Sequence, residues 1–265
     1  MNIKKKNLAL RILIAAIFAP AILFMLYSGG VYLLIFLLVV IFGLTAEFSS
    51  LPAVDLSPIH SGFFIGSALA IPLLYWLGWQ SFVPTFVLIF SAAWFLLELL
   101  RPDMERSLEV ASFGVAGIVL FGWIPSLTME LADANPLYAV LPMALVWVAD
   151  TAAYFAGNLI GGPKMTPNLS PHKTWAGFVG EIVGAAIVGI AFRLIWPEVF
   201  GWNIIFFALP AGIIAVFGDL FESKMKRGMK IKDSSSAIPG HGGIWDRFDS
   251  WLFVSFWAWV WFLVM

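Results

Sequence analysis

About nine times along this chain a run of roughly twenty apolar residues is followed by a short polar break, and that repetition leaves little choice of fold. The runs cover approximately 8–27, 31–48, 61–78, 82–100, 109–128, 137–158, 175–196, 202–221 and 245–264. A bilayer core offers no water to unpaired N–H and C=O groups, so segments this long and this apolar cross it as helices. Only 12% of the residues are charged, against about 25% in soluble proteins, and no stretch is polar enough to form a separate soluble domain. The expected fold is therefore all-α, a polytopic membrane helix bundle of about nine transmembrane helices. The third and fifth runs are the least regular, with Gly66 and Pro72 in one and Gly114, Gly117, Gly122 and Pro125 in the other. Cysteine is absent, which excludes disulfides and cysteine chemistry.

Orientation follows from lysine and arginine, which are retained on the cytoplasmic side. With the N-terminus inside and nine alternating spans, 14 of the 15 cations fall inside and only Arg193 falls outside. Lys4, Lys5, Lys6 and Arg11 resemble the start of a signal sequence, but no cleavage site follows, so the first run is expected to remain as a helix. The acids give a second test. Asp150, Glu181, Asp219, Glu222, Asp246 and Asp249 all fall at a similar depth, near the cytoplasmic third of the bilayer. A lone carboxylate there costs about 2.5–3.5 kcal/mol, so six at one level require positive partners, either metal ions or the nearby lysines and arginines.

The chain divides by chemistry into residues 1–130, an apolar scaffold of about five helices, and 131–265, about four helices with two polar cytoplasmic loops. The first part suits a lipid seal or a homodimer surface; Glu47, Glu98, His60 and, further on, His172 stand isolated in the sequence and read as structural. In the second part Asp246 and Asp249 stand three apart, as do Asp219 and Glu222, so each pair shares a helix face. One such pair alone is commonly a solvated or salt-bridged helix end. Two pairs on consecutive spans, with Asp150 on another, suit hard cations such as Mg2+, which take carboxylate and phosphate oxygens. Pro239-Gly240-His241-Gly242-Gly243 is an ordinary turn sequence taken alone. Immediately before a helix that opens Asp-Arg-Phe-Asp, it suits an anion held by backbone N–H groups. Lys226, Arg227, Lys230 and Lys232 satisfy the positive-inside rule, yet interleaved acids argue for phosphate handling over a purely electrostatic anchor. Gly161-Gly162-Pro163-Lys164 and Ser170-Pro171-His172-Lys173-Thr174 form a second inside loop suited to phosphate or nucleotide, with Ser170 and Thr174 as candidate N-caps.

The stretch from Ser223 to Asp249 resembles the signature of the phosphatidate cytidylyltransferases. The resemblance rests on Ser223, Lys226, Arg227, Lys232, Asp233, Ser235, Ile238, Pro239, His241, Gly242, Gly243, Asp246, Arg247 and Asp249. Asp150 with Tyr154, and Ser170 with Lys173 and Thr174, extend it over the C-terminal half, and the short length resembles the bacterial members. The resemblance implies a nucleotidyltransferase that moves CMP from CTP to phosphatidic acid, giving CDP-diacylglycerol and pyrophosphate. It also implies Mg2+, with a second metal ion expected. The implied setting is the cell membrane, with the site facing the cytoplasm and no nucleic-acid partner. Asp219, Asp246 and Asp249 are then the leading metal ligands, with Asp150 and Glu222 behind them. Lys226, Arg227 and Arg247 are expected to hold phosphate groups, and Lys164, Lys173, Ser223 and Lys232 to assist. His241, Gly242 and Gly243 are expected to shape the phosphate loop. A coupled transporter would spread acids across the bilayer, whereas the outer halves of these spans are nearly bare. The sequence pattern of the CDP-alcohol phosphotransferases is absent. A CTP-dependent polyprenol kinase is the nearer rival, separated by its product, CDP in place of pyrophosphate.

Overall fold

A computed structural model of the chain describes residues 3–51, 54, 56–101, 104–232, 234–235 and 242–265, with side chains from residue 16 onward. The described residues form nine helices: α1 (Ile3–Ser28), α2 (Gly30–Ser49), α3 (Pro58–Trp76), α4 (Val83–Glu98), α5 (Ser107–Ala134), α6 (Pro136–Leu159), α7 (Trp175–Ile195), α8 (Ile204–Gly228) and α9 (Trp245–Trp259). Among the described residues seven segments are long and apolar enough to cross a membrane: α2, α3, α4 together with the turn before it (Gln80–Glu98), and α5 to α8. The protein is thus a multi-pass membrane protein. A π-turn, Val260–Val264, prolongs α9. A π-turn over Ile118–Trp123 interrupts α5, where Gly122 and Pro125 weaken the regular backbone ladder.

The chain divides into two compact units. The first holds Met1–Pro136 with Asp233–Arg247, and the second holds Leu137–Lys232 with Phe248–Met265. In the first, α2 turns Leu33, Leu37, Ile41 and Leu44 inward, and Phe48 lies at the centre of an aromatic group. Its ring is 4.9 Å from Phe121 and 6.0 Å from both Phe64 and Trp245, centroid to centroid. Trp94 is fully buried against Gly114 and donates its indole N–H to the Val110 carbonyl at 3.1 Å. Two of the residues that stand isolated in the sequence, His60 and Glu98, form a small polar group here. Glu98 lies 3.5 Å from His60 Nε2 and 3.3 Å from Arg101 Nε, and His60 Nδ1 shares a hydrogen bond with Ser57 Oγ at 2.7 Å.

In the second unit small residues bring three helices together. A Cβ on Gly180 of α7 would lie 2.6 Å from Ala156 Cβ and 2.9 Å from the Ala152 carbonyl of α6. A Cβ on Gly184 would meet Ala149 Cα at 2.9 Å, and one on Gly212 of α8 would meet Ile182 Cα of α7 at 3.0 Å. Between membrane helices, where lipid tails are as apolar as side chains, close van der Waals packing of this kind drives association. The outward faces remain greasy: Leu88, Leu96, Phe155, Leu194 and Phe206 are all exposed, as a lipid-facing surface requires.

Candidate active site

Four elements of the second unit carry its charged side chains to one place. Between α6 and α7 the chain forms an antiparallel hairpin, β1 (Lys164–Thr166) and β2 (Ser170–Thr174), with Lys164 opposite Thr174. The glycines and prolines of this stretch suggest a loop, and the structure shows paired strands. Thr174 ends the hairpin and caps α7, accepting the Gly177 N–H at 3.1 Å, so the N-cap expected of Thr174 forms while Ser170 belongs to the strand. The hairpin sets Lys173 Nζ 2.8 Å from Asp219 Oδ2 of α8.

Helix α8 continues past its apolar part because Glu222 and Lys226, four residues apart, pair on its surface at 2.5 Å. Both are buried, so each charge needs the other. The helix then stops abruptly. Lys230 takes a left-handed φ of 58°, Lys230 N–H returns to the Arg227 carbonyl, and Ile231 N–H returns to the Lys226 carbonyl, each at 3.0 Å. This Schellman closure usually employs glycine. Arg227 braces the turn by donating to the Ile231 carbonyl at 3.0 Å and reaches the Leu169 carbonyl of the hairpin at 3.5 Å.

Asp219 and Glu222 of α8 meet Asp249 of α9. One carboxylate oxygen from each lies within 4.8 Å of the other two, an arrangement able to hold a metal ion. Ser223 donates to Asp219 Oδ1 at 3.2 Å, a weak constraint on the carboxylate's rotation. A Cβ on Gly218 would sit 2.9 Å from Ser250 Cα, so glycine lets α8 and α9 approach at this level. Glu181 of α7, 5% exposed, lies within electrostatic reach of Asp150, Lys173, Asp219 and Asp249. Asp150 itself is exposed. Glu181 thus neighbours the cluster, and in the sequence only its depth in α7 marks it.

The remaining expected site residues fall in three groups. Lys164, Arg227 and Lys232 are exposed at the hairpin and beyond the end of α8. Asp246, Arg247, Gly242 and Gly243 belong to the first unit. There Asp246 Oδ2 accepts the Gly243 N–H at 2.9 Å, and the same carboxylate accepts the Ser234 N–H at 3.3–3.4 Å. Gly242 adopts φ 85°, a value that favours glycine. His241, together with Asp233, Ile238, Pro239 and Gly240 of the signature, lies outside the described residues.

The fold and the site define a multi-pass helical membrane protein in which three carboxylates converge beside two lysines. Comparison with known proteins makes this particular: residues 9–265 match the cytidylyltransferase family, so the chain belongs to that family and is a nucleotidyltransferase. The phosphatidate cytidylyltransferase of Brucella suis is 32% identical over 209 residues, covering 69% of this chain and 77% of the relative. That of Thermotoga maritima is also 32% identical, over 201 residues, 73% of this chain and 74% of the relative. The Staphylococcus haemolyticus protein of the same name is 45% identical over 121 residues, or 44% of this chain.

Proposed function

We propose that the chain is a phosphatidate cytidylyltransferase: a phosphatidic acid oxygen attacks the α-phosphorus of CTP, the bond to the β-phosphate oxygen breaks, and CDP-diacylglycerol and pyrophosphate are formed. The observation that carries this reading is the Asp219, Glu222 and Asp249 trio set beside Lys173 and Lys226 in a chain of this family.

The donor set fits a divalent ion. It is made only of carboxylate oxygens, the hard ligands that Mg2+ prefers, and three of them converge. Asp246, one turn before Asp249 on α9, and Asp150 of α6 extend the set of proposed ligands. Bound there, Mg2+ with a second metal ion would supply charge neutralisation and polarisation of a phosphoryl oxygen. The chain's own residues do the rest. Lys173 holds Asp219 at 2.8 Å and offers a cation at the edge of the cluster. Lys226 balances buried Glu222, so that two charges remain fixed in a poorly solvated place. Arg227, Arg247, Lys164 and Lys232 supply the guanidinium and ammonium groups for triphosphate and lipid phosphate, with Ser223 and the backbone of Gly242 and Gly243 as neutral donors. The attacking phosphate oxygen is already ionised at neutral pH, so no strong general base is needed. The barrier lies in bringing two anions together, and preset positive charge lowers it. The distribution of lysine and arginine supports a site open to the cytoplasm.

The test is product analysis. Purified protein in mixed micelles with phosphatidic acid, Mg2+ and CTP labelled at the α-phosphate should give labelled CDP-diacylglycerol and one pyrophosphate per turnover. Release of CDP with transfer of the γ-phosphate to the lipid, or no lipid product, would refute the reading.

A further inference from the structure

Glu47 sits in the last turn of α2, nearly 200 residues from the signature, and belongs to no proposed ligand set. Four hydrogen bonds nevertheless converge on its carboxylate. Oε1 accepts from Ser235 Oγ at 2.5 Å and from Ile244 N–H at 2.7 Å. Oε2 accepts from Ser234 Oγ and from Trp245 N–H, both at 3.0 Å. The carboxylate is 6% exposed. Ile244 and Trp245 open α9, and their N–H groups are among those a helix cannot satisfy internally. Glu47 therefore does from another helix what an N-cap side chain does locally, and places negative charge at the positive end of α9.

The surroundings are fitted to this contact. Gly243 leaves no room for a side chain: a Cβ there would lie 2.6 Å from Glu47 Oε2 and would run into Ser234 Oγ. The Ile244 side chain fills the notch at Gly43, one turn before Glu47 on α2. Next to Glu47, Phe48 stands edge-on to Trp245, which is fully buried. Asp246 closes the same assembly by accepting the N–H groups of Gly243 and Ser234. Two carboxylates thus tie Ser234 and Ser235, on one side of the signature's central stretch, to residues 243–245 on the other.

We propose that Glu47 is a positioning residue for nucleotidyl transfer, holding Gly243 and Asp246 of the signature at the working geometry from α2. The inference rests on the function proposed above, in which those two residues serve phosphate and metal. It gives α2 a part in positioning the signature segment.

The test compares the full chain, wild type, with Glu47→Gln, Glu47→Ala and the double variant Ser234→Ala/Ser235→Ala. In Glu47→Gln one backbone N–H must face an NH2 group in place of an oxygen. Loss of a hydrogen bond to a charged acceptor should lower kcat by about tenfold or more, with KM for CTP changed less and the thermal unfolding midpoint nearly unmoved. The serine double variant keeps both backbone bonds and should lose about threefold. Should Glu47→Ala fail to fold, Glu47→Gln and the serine variant still decide. Folded Glu47→Gln turning over within twofold of wild type, or activity falling only in step with the folded fraction, would overturn the inference. Amide hydrogen exchange at Ile244 and Trp245 is read in parallel and needs no activity. It should accelerate about tenfold in Glu47→Gln, and unchanged exchange would also overturn the inference. If the wild type makes no CDP-diacylglycerol, the proposed function has failed, while exchange still reports whether Glu47 holds the segment.

Discussion

Glu47 in the first unit and Glu222 in the second are buried to nearly the same degree, 6% and 2% exposed, yet their surroundings differ in kind. Glu47 faces four neutral donors, two hydroxyls and two backbone N–H groups. Glu222 faces a lysine at 2.5 Å and shares its space with Asp219 and Asp249. A carboxylate satisfied by fixed neutral dipoles holds a structure in place. A carboxylate crowded by other carboxylates and balanced by a cation is set to gain from a further positive charge. The first arrangement builds a scaffold for the signature segment, and the second suits metal-assisted chemistry.

That contrast can be broken by exchanging the character of each site. Asp219→Asn and Asp249→Asn should each lower CDP-diacylglycerol synthesis by about 10³-fold in protein that remains folded, since removing a group that stabilises transition-state charge has that scale. Near-normal turnover in either would remove that residue from the chemistry. Lys226→Met should cost about 3–5 kcal/mol of stability by removing the cation that balances buried Glu222. The double change Glu222→Gln/Lys226→Met should recover most of that loss, as read by thermal unfolding in detergent. A single variant as stable as wild type would show that the pair is solvated. Gly180→Val should open the contact between α6 and α7 and cost about 1–3 kcal/mol by overpacking, whereas Gly62→Ala, with nothing within 4 Å, should leave the unfolding midpoint unchanged. Equal effects at the two positions would argue against close packing of α6 on α7. The smallest effect is expected from Ser223→Ala. Losing its 3.2 Å bond to Asp219 should shift the activation free energy by about 1 kcal/mol, seen as a several-fold fall in kcat/KM.

The spans were legible in the sequence because uninterrupted hydrocarbon has few alternatives. The expected 31–48 and 175–196 match Gly30–Ser49 and Trp175–Ile195 closely. The eighth helix runs to Gly228, beyond the apolar run that ends at 221. Hydropathy falls where Glu222 and Lys226 begin, but helix propensity and their pairing carry the helix on. The fifth span was also short at both ends, since Ser107–Ala134 includes polar turns that hydropathy discards. Within the site, Asp219, Glu222 and Asp249 were legible from their i, i+3 spacing and shared depth, and the structure brings these three together. Lys173 gave only a weak signal, because its contact with Asp219 depends on a hairpin in a segment rich in glycine and proline. Glu47 gave none: its partners lie 187 to 198 residues away, and nothing local marks an acid that caps a distant helix.

The proposed chemistry depends on a divalent cation held by the second unit's acids. Titration of purified protein with Mn2+, followed by electron paramagnetic resonance, tests it most directly. A saturable bound-ion signal is predicted for the wild type and for Glu47→Gln, and its loss for a protein carrying Asp219→Asn and Asp249→Asn together. Undiminished Mn2+ binding by that double variant would contradict the account.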